Sequence, residues 1–240
     1  MKHSFATMLV IAVLLFPISV QAQTGNFGIS TGDSVVWDVE LGTNFTLWYT
    51  GGGFCAIENG STMSFDISEV NQEVFGTLNI GNVTVPANDT TVALDLTLGI
   101  WPNWLTGLFV EIGQQNIDTL NESAYAAAER VTGNWMNGTI TSRYENISVG
   151  QTLQECIVFD YEQDPPGTQV THLAYSLASG VLVEADTSVT FGSTYRLVLS
   201  LRGEPGYPIG NDLGGLIVIV SGGLFAVIVI AYVLLSRKKL

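Results

Sequence analysis

Basic residues are what this 240-residue sequence lacks most. Between residues 23 and 212 there is no lysine, and 22 acidic residues stand against four arginines, which gives this segment a formal charge of −18. The four are Arg130, Arg143, Arg196 and Arg202. Such a surface repels phosphate backbones and anionic lipid headgroups, so nucleic acid is excluded as a partner. Divalent cations and basic groups are the ligands whose positive charge complements this segment.

Cysteine and histidine are nearly absent as well. Cys55 and Cys156 are the only cysteines, and His172 is the only histidine beyond His3. Two cysteines with one histidine do not complete a zinc site, and a Ser-His-Asp triad would have to use His172. The run from Gly28 to Gly32 matches G-x-S-x-G, but a strand follows it where a nucleophile elbow needs a helix. The sequence therefore predicts no enzyme and no cofactor.

The N-terminus has the pattern of a secretory signal. Lys2 and His3 precede an apolar run from Met8 to Phe16, and Val20-Gln21-Ala22 supplies the small residues that signal peptidase accepts. We expect residues 1–22 to be removed. The cysteines would then meet an oxidising compartment, which predicts a Cys55–Cys156 disulfide; two unpaired buried thiols are the alternative.

The C-terminus has the pattern of a membrane anchor. Residues 213–235 carry no charge and are long enough, at about 1.5 Å per residue, to cross a bilayer. The basic tail, residues 236–240, predicts a cytoplasmic C-terminus, with the domain 23–203 outside and 204–212 as linker. The result is a single-pass protein of the cell membrane. Gly222 and Ala226 form a pair through which two helices can pack as a homodimer, although glycine is also common in membrane helices without that role.

Asn-x-Ser/Thr sequons are frequent in the predicted outer domain. They lie at Asn44, Asn59, Asn82, Asn88, Asn121, Asn137 and Asn146. We interpret them as N-glycosylation sites of a surface glycoprotein; the alternative is that they are Asn-Thr turns of a β protein.

The outer domain is predicted to be mainly β, with α+β as an option. Alternation of Val, Thr and aromatic residues predicts strands at Ser34–Val39, Thr43–Thr50, Thr62–Ser68, Val74–Val85 and Val92–Leu98. Helical patterns occur in Trp101–Phe109 and in Asn121–Gly133, where Asn121 is the predicted N-cap. The first pattern, "WPNWLTGLF", is interpreted as core packing; a lid over an apolar ligand or a membrane-dipping surface is the alternative.

The C-terminal part predicts a four-strand antiparallel meander with one apolar face. The register pairs Phe159 with Leu173 around Pro166, Tyr175 with Val183, and Ala185 with Leu197. On the polar face this places four charged side chains in one row across the sheet. They are Asp160, His172, Asp186 and Arg196. We interpret the row as ordinary cross-strand pairing rather than as a catalytic or metal site.

The stretch "FDYEQDPPGTQV" offers the one weak candidate for a metal site. Asp160, Glu162 and Asp164 share a strand face about 6 to 7 Å apart, and Ca²⁺ accepts such oxygens. Pro165 stands where an EF-hand loop needs glycine, and Thr171 stands where it needs glutamate. The stretch is therefore predicted to be a hairpin, with no metal.

The layout of signal, sequon-rich strands, single span and basic tail resembles uncharacterised archaeal cell-surface proteins of the Asgard type. Residues Leu173 to Leu201 also resemble the meander of lipoprotein-carrier-like half-barrels, with Ser179-Gly180-Val181-Leu182 at the turn. The resemblance implies a curved antiparallel sheet, or a half-barrel or sandwich, with one or two short helices. The resemblance does not assign a functional role to any residue of this chain.

Two functions fit these patterns. One is a binding or adhesion module of the cell envelope that recognises an extracellular protein or glycan. The other is a half-barrel that carries a lipid or another apolar ligand. A carrier needs a dry cavity of several hundred Å³, whereas a binding domain can have a filled core.

Overall fold

The computed structural model describes residues 25–100, 104–132, 138–164, 168–191 and 193–203. Among these residues the fold is mainly β, as predicted, with thirteen strands and two helices. The strands are β1 (Ser34–Gly42), β2 (Phe45–Leu47), β3 (Gly53–Cys55), β4 (Ser61–Val70), β5 (Val74–Ile80), β6 (Val83–Asn88), β7 (Gly99–Ile100), β8 (Trp104–Leu105), β9 (Gly138–Val149), β10 (Thr152–Gln163), β11 (Thr168–Ser176), β12 (Leu182–Phe191) and β13 (Ser193–Leu201). The helices are α1 (Asp89–Leu96) and α2 (Gln114–Thr132).

Nine strands form one antiparallel sheet in the order β6-β5-β4-β1-β13-β12-β11-β10-β9. Two meanders, β4 to β6 and β9 to β13, are joined by β1, which pairs with β4 on one side and β13 on the other. β2–β3 and β7–β8 are separate two-stranded hairpins. The first strand of the described chain therefore ties the two halves of the sheet together.

Most of the core lies against one face of this sheet, which we call the inner face. Alternate residues of each strand are buried there, as Val35, Trp37 and Val39 are in β1. The segment from the end of α1 through β7 runs across this face, and its backbone carbonyls accept hydrogen bonds from β13, β12 and β11 in turn. The bonds are Tyr195 Oη to Leu96 O, Thr187 Oγ1 to Thr97 O, and Gln169 Nε2 to Gly99 O.

Aromatic contacts hold the next part of this segment against the inner face. Trp104 packs edge-on against Phe159 with ring centroids 5.3 Å apart, and Phe109 contacts Phe65 at 5.7 Å and Trp37 at 6.3 Å. Core packing is thus confirmed for this part of "WPNWLTGLF". The helical pattern is wrong here, because residues 104–105 form β8 and Phe109 bridges to Val181. Trp101 lies outside the described residues.

The predicted meander is present, with part of its register corrected. Phe159 pairs with Leu173 as expected, and Gly180 has the positive φ of 73° that its turn needs. Tyr175 pairs with Leu182 instead of Val183 because a bulge follows Ala174. Ala185 pairs with Leu199 instead of Leu197. This shift of two residues keeps the same side chains on the inner face.

Other elements differ from the sequence prediction. The strand predicted at Val74–Val85 is two strands joined by a turn, and residues 92–96 belong to α1 instead of a strand. Helix α2 begins seven residues before Asn121, so Asn121 lies inside it and is not its N-cap. The strand predicted at Thr43–Thr50 is reduced to β2.

The predicted Cys55–Cys156 disulfide is not formed; both cysteines are buried thiols. The Cys55 thiol contacts the carbonyl of Ile80 in β5, while Cys156 lies in β10 on the face opposite the inner one. These strands are six positions apart in the sheet order, about 29 Å along the sheet, whereas a disulfide needs Cα atoms within about 7 Å.

Both cysteines are accordingly expected to be found as thiols. Burial raises the pKa of Cys55 to about 11, so iodoacetamide should modify it slowly in the native protein and quickly in urea. Peptide mapping without reductant checks the pairing. A linked peptide that contains both cysteines would contradict the structure.

Several predictions concern residues outside the described ranges. These are the signal 1–22, the linker 204–212, the span 213–235, the tail 236–240 and the sequon at Asn137. Within the described ranges no helix is long and apolar enough to cross a membrane.

Candidate binding cleft

Asp89 is placed by the start of α1. The side chain of Asn88 caps this helix by accepting a hydrogen bond from the backbone N–H of Thr91 at 2.8 Å. Asp89 is the first residue of the helix and only 6% exposed. Its Oδ1 accepts a bond from the backbone N–H of Val74 at 3.3 Å. The cap therefore fixes an acidic side chain against the β4–β5 turn.

Gly107 lets the chain approach this carboxyl group. A Cβ atom at position 107 would lie 1.9 Å from Asp89 Oδ2, so no larger residue fits without displacement. The carbonyl of Gly107 accepts a hydrogen bond from the Tyr175 hydroxyl at 3.0 Å, and that hydroxyl also contacts Thr106 Oγ1. The inner face of β11 thus holds the segment that covers Asp89.

Asp89 lines an open cleft of about 420 Å³ between α1, α2, the β4–β5 turn and residues 104–111. Acidic and aromatic side chains line its walls together with uncharged polar and aliphatic ones. The acidic ones are Glu73, Asp89 and Glu111, and the aromatic ones are Phe27, Trp104 and Phe109. Among the described residues no lysine, arginine or histidine lines the cleft.

Burial raises the pKa of Asp89 to about 6. Hydrogen bonds from backbone N–H groups, that of Val74 first, favour the carboxylate, while the negative charge of Glu73 disfavours it. Titratable groups with such shifts in a cleft are typical of functional sites, although structural networks produce them too. The cleft therefore contains an acid that changes charge near neutral pH.

An Asp89→Asn variant should show how much the buried charge of Asp89 lowers the free energy of unfolding. Because the folded pKa lies above the ordinary value, Asp89 contributes stability below pH 4 that is lost as the pH rises through about 6. The variant should unfold like the wild type at pH 4 and be more stable at pH 7, by up to about 3 kcal/mol. Urea unfolding at both pH values measures this. An equal difference at the two pH values would contradict the raised pKa.

The charged row predicted on the polar face of the meander, which is the face opposite the inner one, is largely present. Asp160 pairs with His172 and His172 with Asp186, with 2.6 Å between Asp160 Oδ1 and His172 Nδ1. Arg196 lies opposite Ser188 instead of Asp186, but its guanidinium reaches both Asp186 oxygens, at 3.1 and 2.8 Å.

Arg143, from β9, adds an ion pair to Asp160 that the sequence did not predict. Burial raises the pKa of Asp160, but hydrogen bonds from His172 and Arg143 outweigh this and lower it. The geometry is that of cross-strand charge pairing.

The weak metal candidates do not come together as a site. Asp160 is bound by His172 and Arg143, while Glu162 and Asp164 are exposed. No group of three histidine, cysteine or acidic residues within the described ranges is arranged to hold a metal ion.

The sequons differ in exposure. Asn44, Asn59, Asn82 and Asn146 are exposed, whereas Asn88 and Asn121 are half-buried. The amide nitrogen to which a glycan would be attached donates to the Phe54 carbonyl in Asn82 and to Glu73 in Asn88. The Oδ1 atoms of Asn44 and Asn59 accept the backbone N–H groups of Ile57 and Gly42, which supports the turn alternative as well. Glycosylation stays a prediction, with Asn44, Asn59 and Asn146 as the most accessible sites.

Sequence reasoning missed the cleft. It took residues 92–98 as a strand and so did not assign a role to Asp89. Two signals were present: Asn88 followed by Asp89 is a helix start, and residues 25–129 contain no lysine, arginine or histidine. All six wall residues named above fall within that stretch.

Searches with the chain found no matching protein-family model, no matching curated protein and no matching solved structure.

Proposed function

We propose that this protein is a single-pass, membrane-anchored cell-surface glycoprotein whose outer domain is a binding module. Its ligand site is the Asp89 cleft, and the ligand is an amine or another organic cation. The observation that carries the proposal is the wall of this cleft, where three carboxyl groups and three aromatic rings occur without a basic side chain among the described residues.

A cation satisfies both kinds of wall residue. It neutralises the carboxyl groups, which have no counter-ion of their own in the stretch 25–129. Aromatic rings attract a cation through the quadrupole of the ring, and the half-buried Phe27 is the wall ring most open to a ligand, because Trp104 and Phe109 are buried. Binding next to Asp89 favours its carboxylate form, so the raised pKa should fall when the cleft is occupied.

The carrier of an apolar ligand is the second function considered. It needs a half-barrel with a dry cavity, and burying Glu73, Asp89 and Glu111 under a lipid would strip water from three acidic groups without supplying partners. The inner face is instead covered by aromatic side chains and the segment after α1. These features favour a ligand that carries positive charge.

Three ligands that share one ring separate these functions. Phenethylammonium, 2-phenylethanol and phenylacetate carry positive, zero and negative charge, and their binding to the purified full-length protein is measured by calorimetry at pH 7. We expect only phenethylammonium to bind, and Asp89→Asn to weaken it about tenfold, the equivalent of about 1.4 kcal/mol.

The control is Asp118→Asn on the exposed side of α2, which should leave the affinity unchanged. Equal binding of the alcohol and the amine would favour the apolar carrier. Absence of binding by all three would contradict the cleft as the site.

A further inference from the structure

The hairpin β2–β3 presents aromatic side chains to solvent. Trp48 is 79% exposed, Tyr49 57% and Phe54 61%. We call these three residues the aromatic tip. Scattered apolar residues are normal on a protein surface, but a cluster of large aromatic side chains marks an interaction site.

The tip is held by a buried carboxylate. The backbone N–H groups of Trp48 and Tyr49 donate to Asp95 Oδ1 at 2.7 and 3.0 Å, and that of Thr50 donates to Asp95 Oδ2 at 2.9 Å. At the base of the hairpin, Phe45 packs edge-on against Tyr195 with ring centroids 5.3 Å apart. The aromatic side chains therefore stand on a fixed backbone, which reduces the entropy that binding would otherwise cost.

The tip also belongs to an uncharged stretch of a strongly acidic chain. From Leu41 to Ile57 the sequence has no charged residue, in a segment whose formal charge is −18. Two copies of this chain repel each other over most of their surfaces. At the tip they can meet without opposing charges, so a second copy of the chain fits this surface better than a strongly charged partner does.

The position of the tip suits a contact between opposed membranes. The hairpin contacts β13 near its start, at Tyr195, whereas the described chain leaves the sheet after Leu201, at the other end of the strand. At about 3.4 Å per residue, Tyr195 and Leu201 lie about 20 Å apart along the strand. If the anchor follows as in the proposed function, on which this step rests, the tip points away from the membrane.

We propose that the aromatic tip is a homophilic contact through which copies of this protein on opposed membranes bind each other. The three side chains of one copy expose about 400 Å² in total, so a symmetric pair buries about 800 Å². This is below the roughly 1,200 Å² of a stable interface, so each contact is weak and many copies act together.

The test uses the full chain reconstituted into phosphatidylcholine vesicles, with clustering followed by light scattering. We expect wild-type vesicles to cluster, and more so as NaCl rises from about 0.05 to about 0.5 M and screens the acidic surfaces. The double variant Trp48→Ser, Phe54→Ser should lose at least about tenfold in clustering rate. Leu153→Ser is the matched control, because Leu153 is 72% exposed but lies at the opposite end of the sheet.

Each alternative partner gives a distinct outcome. Recruitment of labelled protein-free vesicles would show that the tip binds lipid, and would overturn the proposal. Equal clustering by the double variant and by Leu153→Ser would overturn it too. If the protein does not float with vesicles, the anchor of the proposed function fails; tip pairing is then decided by crosslinking the full chain in solution, where the double variant should lose the crosslinked dimer. A dimer that persists in that variant would contradict the contact.

Discussion

Replacing Trp37 with alanine is expected to lower the free energy of unfolding by about 4 kcal/mol. Trp37 lies in β1, the strand that joins the two halves of the sheet, and is fully buried. Its Nε1–H donates to the carbonyl of Leu182 at 2.7 Å, and its ring contacts Phe109. The variant loses a large buried side chain and leaves the Leu182 carbonyl without that partner. Urea unfolding of the purified protein gives the measurement.

Trp48→Ala is the matched control, because it removes the same side chain from the exposed tip of β2–β3. It should change the free energy of unfolding by less than about 0.5 kcal/mol. If both variants have similar stability, the Trp37 side chain is not buried in the core as described.

Replacing Asp95 with alanine is expected to lower the free energy of unfolding by about 3 kcal/mol. The carboxylate is buried and accepts three backbone N–H groups from residues 48–50. Without it these donors lose a charged acceptor in a partly buried position. Hydrogen exchange of the three amides should also become faster in the variant than in the wild type.

Asp118→Ala serves as the control for Asp95. Asp118 is exposed on α2 and accepts one side-chain hydrogen bond, from Gln114 at 2.8 Å. We expect a change below about 0.5 kcal/mol and no effect on the amides of residues 48–50. Unchanged exchange of these amides in Asp95→Ala would show that the carboxylate does not hold the tip.

The parts of the fold that the sequence predicted are those set by local pattern. The alternation along β10 and β11 and the turn centred on Pro166 gave the pairing of Phe159 with Leu173. Gly180 marked the next turn, but the bulge after Ala174 moved the pairing by one residue. A bulge has no consistent sequence signature, so the register beyond it could not be read from alternation alone.

The predictions that were wrong concern parts of the fold that depend on contacts between distant residues. Residues 89–96 are rich in Thr, Val and Asp, which favour strands or turns over helices, yet the Asn88 cap and packing on the sheet make them α1. The pairing of β1 with β13 joins residues more than 150 positions apart, and no local pattern predicts it. The disulfide prediction was wrong for the same reason. An oxidising compartment favours disulfide formation, but the strand order of the sheet separates the two thiols.

Predicting the cleft needs both the local composition of the sequence and the contacts between distant residues. The absence of cations from residues 25–129 is visible in the sequence, but the meeting of Glu73, Asp89 and Glu111 requires the β4–β5 turn, α1 and the segment after β8 to be placed in space. Composition therefore predicts the charge of a ligand, while the structure supplies the site that would hold it.

The most direct test of the cleft is the titration of the Asp89 carboxyl carbon by NMR, with and without phenethylammonium. We expect a pKa of about 6 for Asp89 in the free protein and a clear decrease when the cation is present, because the bound charge favours the carboxylate. 2-Phenylethanol should leave the titration unchanged. A pKa near 4 in the free protein, or one that phenethylammonium does not lower, would contradict the account.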